Sequence, residues 1–494
     1  MTAPRTCDVL VVGGGGAGLA AAIEARQAGA SVVLLEKNEK LGGSTAWSIG
    51  SITATGTPHQ RKRGIEDSPD GHFADMPGFA GPLAARENDV LRRILCDEVP
   101  DAFRWLLDLG VRFHGPMPEP PHRQPRMHNV LPNSLSYIHH LGKRARATGV
   151  DIRLGARVES LTAEAGRVTG ARCVDGRIFH ATRGVILAAG DFTNDPELKA
   201  RYMGDAAAKV DGVNATATGD GQKLGLAVGA RIVNGDLALG PELRFIPPAR
   251  TTLVRRLPPW PALARLLEWS LAHVPPRLLR PVILGFLTTA LAPSTALFTH
   301  GARLVNREGQ RFCDETDQPA LALAGQPGKT GYLLIDGRLA GKYSAWPHFI
   351  STAPGVAYAY LPDYRRNRPD VYTQATSLDG LARKLGVRVH GLQEAAKSLG
   401  STALDDEARQ PLATPPFIAL GPVRPVFVHS EGGLAVDTSH RVLGAGDQPI
   451  PGLFAAGSTG QGGLLLKGHG HHLAWAFVSG RRAGRIAATL AGPR

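Results

Sequence analysis

Between Cys7 and Ser48 one stretch, CDVLVVGGGGAGLAAAIEARQAGASVVLLEKNEKLGGSTAWS, admits few folds. An apolar, β-branched run from Val9 to Val12 leads into Gly13, Gly15 and Gly18, spaced G-x-G-x-x-G. An Ala-rich helical stretch follows from Leu19 to Ala28, and a second strand pattern from Ser31 to Leu35 stops at Glu36. Each residue type has a reason to be there. Gly13 permits a tight turn, Gly15 lets a pyrophosphate approach the backbone, and Gly18 lets helix rest on strand. The phosphates then sit at a helix N-terminus, beside Gly16 and Ala17, while Glu36, about 20 residues on, accepts from a ribose hydroxyl. A Gly-rich turn alone carries little. Strand, glycines, helix, second strand and acid in this order predict a dinucleotide-binding unit.

The next residues narrow the ligand. Lys37 follows the acid, and Leu41-Gly42-Gly43-Ser44-Thr45 continues out of the second strand. A nicotinamide site has no need of a second Gly pair there, whereas a flavin site lays such a loop along the pyrophosphate and ribityl chain. Gly184-Val185-Ile186-Leu187-Ala188-Ala189-Gly190 is a further strand ending in small residues, and Ile450 to Ser458 repeats that pattern, ending in Ala-Gly457-Ser458. Taken together these segments resemble the FAD-binding family of fumarate reductase and succinate dehydrogenase flavoproteins and 3-ketosteroid dehydrogenases. The resemblance is strong at both ends of the chain, fair around Ala217 to Gly221, and poor between about Leu239 and Ala296. It implies FAD as cofactor, with Ser48, Gly50, Ser51, Val158 and Ala189 added to the contacts. Gly190, Asn194, Asp220, His472 and Leu473 complete that set. Flavoproteins of this family that link FAD covalently do so through a His just after the Gly pair. Ser44 stands there, so non-covalent FAD is expected.

The family resemblance also implies an architecture: an α/β, Rossmann-like FAD-binding domain, discontinuous in sequence, with an inserted α+β capping domain. The expected divisions are 1–238 and 429–494 for the flavin domain and 239–428 for the cap. Within the first part a helix is predicted over Leu135 to Arg146 and a strand over Asp151 to Leu154. Val168 to Val174 and Arg177 to His180, joined by Asp175-Gly176, read as a hairpin. A closing helix is predicted from Leu473 to Leu490. The cap holds a family landmark, Leu304 to Phe312 followed by Asp314-Glu315.

Length and composition agree. A chain of 494 residues exceeds one ordinary core, and 43% hydrophobic with 20% charged residues is a globular balance. The N-terminus shows no basic-then-apolar signal pattern, and a cytoplasmic location is expected. Cys7, Cys96, Cys173 and Cys313 are scattered, which suggests neither a metal site nor a disulfide framework. The net charge of +13 comes from dispersed Lys and Arg, and no nucleic-acid motif accompanies it. One segment, Thr251 to Leu297, mixes Trp260, Trp269 and many Leu with Arg255, Arg256, Arg265, Arg277 and Arg280. Its apolar run is cut by Pro281 and Pro293 and falls short of the ~20 residues of a membrane span. It reads as amphipathic cap helices, with a peripheral membrane contact or an apolar substrate entrance as the alternative.

Catalysis is expected near the closing turn, Lys467-Gly468-His469-Gly470-His471-His472-Leu473. In the family this turn points backbone N–H groups at the flavin's pyrimidine edge, where the helix dipole stabilises negative charge on the reduced ring. Ketone dehydrogenases of the family bind the substrate carbonyl through the N–H of the Gly corresponding to Gly470. The fumarate anchors are mostly changed: the family's proton-donating Arg falls at Pro319, its cap His near Pro241, and its C-terminal Arg near Lys467. His429 matches the remaining substrate His. Candidates for the base are His429, His471, Asp317 and Tyr332, and Lys467 is a candidate for a substrate carboxylate. A metal site from His469, His471 and His472 is not expected, because the run lacks the i, i+4 spacing that puts two His on one helix face.

The reading is therefore a flavin dehydrogenase or reductase acting on a C–C/C=C bond α,β to a carbonyl in an apolar or cyclic substrate. A dicarboxylate reductase with rearranged anchors is the alternative, and an electron-transfer subunit docking to a membrane or protein is the reading from another class. The electron donor or acceptor is unknown.

Overall fold

The computed structural model of the chain describes residues 5–248, 256–275, 280, 284–285, 288–289, 291–353, 357–401 and 403–490. The N-terminal pattern forms as expected: β1 (Arg5–Val12), α1 (Gly16–Gln27) and β2 (Val32–Leu35). Strand β1 lies between β2 and the strand Ile178–Leu187, parallel to both, with Val9 opposite Val32 on one side and Gly184 on the other. A central parallel strand is covered on both faces, which is why Val9, Leu10 and Val11 are fully buried and the run does not alternate. The sheet continues beyond Ile178–Leu187 to Pro449–Ala455 and Arg441–Leu443, and beyond β2 to Asp151–Arg153. Both ends of the chain thus contribute strands to one sheet.

One element differs from the sequence reading. Arg177 to His180 and Gly184 to Leu187 are not two strands but the two halves of Ile178–Leu187. Its first half pairs with Arg167–Cys173 around the turn at Gly176 (φ +84°), and its second half with Pro449–Ala455. The opposite edge pairs with β1 throughout.

The closing helix, His471–Thr489, packs along α1 at unusually close range. A Cβ added at Gly480 would lie 2.4 Å from the Ala17 carbonyl oxygen, and one at Gly484 would lie 2.2 Å from that of Ala21. Backbone meets backbone there, so the C-terminal helix is seated directly behind the Gly-rich turn.

A second sheet is centred on the long strand Phe417–Phe427. Gly331–Ile335 pairs with it and with Arg303–Asn306, while Glu242–Phe245 and Tyr372–Ala375 pair with it antiparallel. Asp211–Gly212 also joins this sheet, although it precedes residue 239. Leu304, Leu333, Leu334, Ile335 and Leu420 form its core. The two passages of the chain between the sheets run side by side, Leu239 opposite His429 and Ala238 opposite Ser430. The landmark after Arg303–Asn306 is a brace: Arg311 pairs with buried Glu315, which also accepts from the Leu304 N–H.

Within Thr251 to Leu297 the structure describes a helix, Pro261–His273. Ala264 is buried, Glu268 approaches His59 at 3.9 Å, and the Leu257 carbonyl accepts from Asn133 at 3.1 Å. Trp260, Leu266 and Trp269 are 63%, 57% and 56% exposed. Leu278, Val282, Ile283, Phe286 and Leu287 lie outside the described residues. No helix among the described residues is long and apolar enough to cross a membrane.

Candidate functional site

The phosphate cradle is built from backbone. Gly13 has φ +113° and sits against the Ala188 carbonyl, where a Cβ would come within 2.3 Å of oxygen. A Cβ on Gly18 would lie 1.8 Å from the Gly13 oxygen, so only glycine lets α1 close onto the turn. Gly15, by contrast, is open: its nearest neighbour would be the Gly42 oxygen at 3.7 Å. Gly190 (φ +86°) has open space around it as well. These are the two properties a pyrophosphate groove needs, a rigid turn and an uncovered backbone edge. The Gly pair joins the same groove through α2 (Gly43–Trp47), whose Thr45 hydroxyl accepts from the Gly16 N–H at 3.1 Å. Gly43 stands against Gly15, and Ala17 against Gly457.

The other residues expected to contact the cofactor lie as follows. Glu36 is buried, and its carboxylate accepts from the Gly14 N–H at 2.7 Å and from the backbone and side chain of Asn38 at 2.8 and 2.7 Å. Three of about four lone-pair positions are used, which leaves room for a ribose hydroxyl. Lys37 and Asp220 pair with each other at 3.1 Å, with the Thr218 hydroxyl 2.6 Å from the ammonium. Ser44 accepts from Asn214, Ser48 donates to the Thr45 carbonyl, and Ser51, in β3 (Ser51–Thr53), donates to Asn129. Gly50 (φ +87°) precedes β3, and its carbonyl accepts from Tyr137. Asn194 stitches its loop to Gly212 and Ala215. Val158 begins a strand at the edge of the first sheet, Ala189 lies two residues after Leu187, Ser458 follows Gly457, and Leu473 is buried in the closing helix.

At the closing turn three histidines in four residues go to three different places. His469 donates its backbone N–H to Glu119 at 2.9 Å and its ring Nδ1 lies 2.5 Å from the same carboxylate oxygen. The Glu119 carboxylate raises the His469 pKa above its ordinary value, outweighing burial. The His469 side chain is 48% exposed, and Glu242 and Arg244 of the second sheet are near enough to influence its charge. His471 is fully buried: its Nδ1 meets the Lys467 carbonyl at 2.5 Å and its Nε2 meets His72 Nε2 at 3.2 Å, with His122 and Phe79 against the ring. Burial lowers His471 and His72, and takes His122 down to about 2. His472 turns the other way and lies over His429, ring centroids 3.6 Å apart, both facing buried Glu431. Burial and the His472 ring lower His429; burial alone would raise Glu431, but the two imidazoles hold it well below the usual carboxylate range. Gly470 caps the helix at φ +89° and is pressed onto β3, where a Cβ would lie 2.5 Å from the Thr53 nitrogen.

A family model described as FAD binding domain matches residues 8–253 and 269–465. The chain belongs to that family. FAD is its cofactor, and the flavoprotein is an FAD-dependent oxidoreductase. It is 27% identical over 476 residues to an NADH:fumarate oxidoreductase of Klebsiella pneumoniae (strain 342), a match covering 92% of this chain and 44% of that protein. The flavoprotein thus spans less than half the length of that relative. An open conformation of a flavocytochrome c3 fumarate reductase superposes with a TM-score of 0.72 at 26% identity, covering 98% of this chain and 78% of the other. A 3-ketosteroid-delta4-(5alpha)-dehydrogenase from Rhodococcus jostii RHA1 shares the fold, with a TM-score of 0.61 at 24% identity and 98–99% coverage of both chains.

Among the flavoprotein's catalytic candidates the geometry discriminates. His471 has both ring nitrogens engaged inside the protein, which leaves none for a substrate. Asp317 is exposed in the turn before the helix Pro319–Ala324, and Pro319 simply opens that helix. Tyr332 packs against the second-sheet core. Lys467 is half-buried without a side-chain partner among the described residues. Two groups were not legible as site residues in sequence. Glu119 contacts His469 across 350 positions, and Glu431 was visible only as one residue of a Ser-Glu-Gly-Gly turn.

Proposed function

We propose that this flavoprotein interconverts a C–C and a C=C bond α,β to a carbonyl, in an apolar, ketone- or steroid-like substrate. The observation that carries the reading is the closing turn itself, with Gly470 locked on β3 at a helix N-terminus and His469 held by Glu119 one residue earlier. FAD, when bound, supplies the hydride exchange with the β-carbon. The Gly470 N–H donates to the substrate oxygen and stabilises the enolate that forms as the α-proton leaves. His469 moves that proton: Glu119 fixes Nδ1, and the exposed side of the ring is free to face a substrate beneath residues 239–428, the part of the chain that we assign as the cap. His429 and Lys467 are the other polar candidates in this reading. Glu36 receives the ribose, the glycine turn receives the pyrophosphate, and Ser44 leaves the flavin without a covalent link. Acid precipitation should therefore release the yellow chromophore into the supernatant.

A second reading, a dicarboxylate reductase with rearranged anchors, draws support from the identity to fumarate reductases and from Lys467, which has no side-chain partner among the described residues. Against it stand Pro319 and Pro241, which supply neither charge nor N–H where the family binds carboxylate. Anaerobic photoreduction followed by re-oxidation with cyclic enones, ketosteroids and fumarate separates the two. Fumarate re-oxidising the flavin as fast as the best enone overturns the first reading. The electrons reach the flavin from a donor, or leave it to an acceptor, outside this chain.

A further inference from the structure

The helix Pro261–His273 departs from the usual pattern of a helix on a protein surface. Its inner side is apolar, as expected: Ala264 is buried, and Leu263, Leu267 and Leu271 are partly so. That side packs on the strands Arg112–Met117 and Met127–Leu131, which form a small sheet with β3. The opposite side should then be polar. Instead Ala262, Leu266 and Trp269, spaced i, i+4, i+7, are all exposed, with exposed Trp260 just before them. Two more exposed apolar side chains adjoin the start of the helix. Leu135 follows Asn133 and Ser134, of which the first bonds the Leu257 carbonyl and the second the carbonyl of Ala46, next to Trp47. The charges nearby have one sign. Between Thr251 and Leu297 the single acidic residue is Glu268, which lies in line with buried Ala264 on the packed side, 3.9 Å from His59. Arg265 stands on the outer side, and shortly after His59 come Arg61, Lys62 and Arg63, all exposed. The two arginines of that run give hydrogen bonds to the carbonyls of Gly56 and Pro116.

We propose that this face docks on an anionic phospholipid bilayer, with Trp260, Leu266 and Trp269 entering the headgroup layer and the basic residues around them meeting lipid phosphates. An exposed apolar patch marks a contact, and the residue types say of which kind. Tryptophan, apolar in its body and polar at its N–H, is at home where hydrocarbon meets water. A helix with Trp and Leu on one side and cations beside them is the form that lies in a membrane surface. Arg and Lys are drawn to the negative potential of anionic lipid. A second copy of the chain fits less well, because a two-fold contact sets Arg265 and the basic run against themselves on a chain of net charge +13. Residues 254–268, which carry much of this face, fall between the two stretches matched by the family model, so the surface belongs to this chain rather than to the shared fold. The helix and the closing turn share one small sheet, since Gly470 is pressed onto β3. An apolar substrate would then be drawn from the lipid itself. That role rests on the function proposed above; the docking does not.

The test is flotation of FAD-loaded protein with vesicles of phosphatidylcholine, alone or mixed with phosphatidylglycerol, at low and high salt and without substrate. Binding to the mixed vesicles is expected, weakening as salt screens the charges, with little binding to phosphatidylcholine alone. A triple variant, Trp260→Ser with Leu266→Ser and Trp269→Ser, should lose about 10-fold or more in vesicle affinity. Lys62→Ala should lose about fivefold, the worth of one cation near an anionic surface. Both should keep the flavin spectrum. Val174→Ser, at a side chain 62% exposed near the hairpin turn of the first sheet, should float as the unmodified protein does. No binding to mixed vesicles at low salt overturns the proposal, and so does equal binding to phosphatidylcholine alone. It is overturned as well if the triple variant binds undiminished, or if Val174→Ser loses binding. A triple variant that falls from dimer to monomer in light scattering would put a second copy on the face instead. Because binding is read without substrate, a negative result leaves the enone reading standing, and an enzyme inactive on enones leaves the docking surface standing.

Discussion

Two helix N-termini build this flavoprotein's site, and they do so by opposite means. Helix α1 is capped by Gly15 and the closing helix by Gly470, neither with a side-chain cap. Around the first, backbone does the work: Gly13 and Gly18 let the turn close tightly, Gly15 leaves its backbone edge uncovered, and such an N–H edge suits a phosphate. Around the second, the turn is crowded with imidazoles, and each is assigned by a partner distant in sequence, 350 positions away for His469 and 399 for His471. His469 answers to Glu119, His471 to His72 and His122, and His472 to His429 and Glu431. In the function proposed above, cofactor binding resides in the first terminus and is carried by local geometry, and reaction chemistry resides in the second and is carried by tertiary contacts.

If that contrast holds, the largest effect comes from the cradle. Gly18→Val puts atoms where the Gly13 carbonyl already is, at 1.8 Å for the Cβ alone, so the protein should be recovered without flavin or not at all. The flavin-to-protein absorbance ratio reads this directly, and a fully loaded Gly18→Val protein would break the contrast from the cofactor side. At the other terminus a comparable test of Gly470 is closed, since φ +89° and the Thr53 backbone reject every side chain, proline included.

His469→Gln is the test there. It should keep its flavin and lose about 10²–10⁴ in turnover, the usual contribution of a positioned acid or base. Full activity in this variant would return the proton to another group.

A smaller, sharper effect is a shift in pH dependence. Because Glu119 raises His469, the imidazolium persists above the ordinary value near ~6.5. Reduction, which needs the protonated ring, should be constant below that value and fall as pH rises through the raised pKa; dehydrogenation should rise over the same window. The ring's contribution to stability has the same sign, present in full at low pH and lost as His469 deprotonates. Glu119→Gln should move the inflection of the rate profile down toward the ordinary imidazole value, and an unmoved inflection would separate the pair from catalysis.

The smallest effect belongs to the surface of the helix Pro261–His273. Trp269→Ser, at a side chain 56% exposed, should change stability by no more than about 0.5 kcal/mol and leave flavin content and turnover alone. A large loss of either would connect that surface to the site.

Much of this architecture was legible because it is written in short-range rules. The βαβ element, the hairpin at Asp175-Gly176, the helix over Leu135–Ala147 and the closing helix all follow from periodicity and turn chemistry, the last two to within two residues at their ends, while β1 and α1 begin four and three residues earlier than their patterns. The strand Ile178–Leu187 contains two segments that read separately in sequence, a hairpin strand to His180 and an apolar run from Gly184. One half is buried between β1 and Pro449–Ala455, while the other belongs to a hairpin, so a single strand carries two burial regimes. Gly480 and Gly484 look like ordinary weak points in a helix until α1 is laid against them.

By itself, then, the amino-acid sequence determined the dinucleotide groove and the flavin, because glycine's freedom and a helix N-terminus act on whatever lies next to them. It also marked the closing turn as the place for chemistry. Which histidine does what was decided only by the tertiary structure. His471 and His472, successive residues in the first turn of the closing helix, point about 100° apart, and His469 lies before the N-cap, so the three reach different partners. Their partners come from residues 72, 119, 122, 429 and 431, and only the folded chain brings those carboxylates and imidazoles within reach.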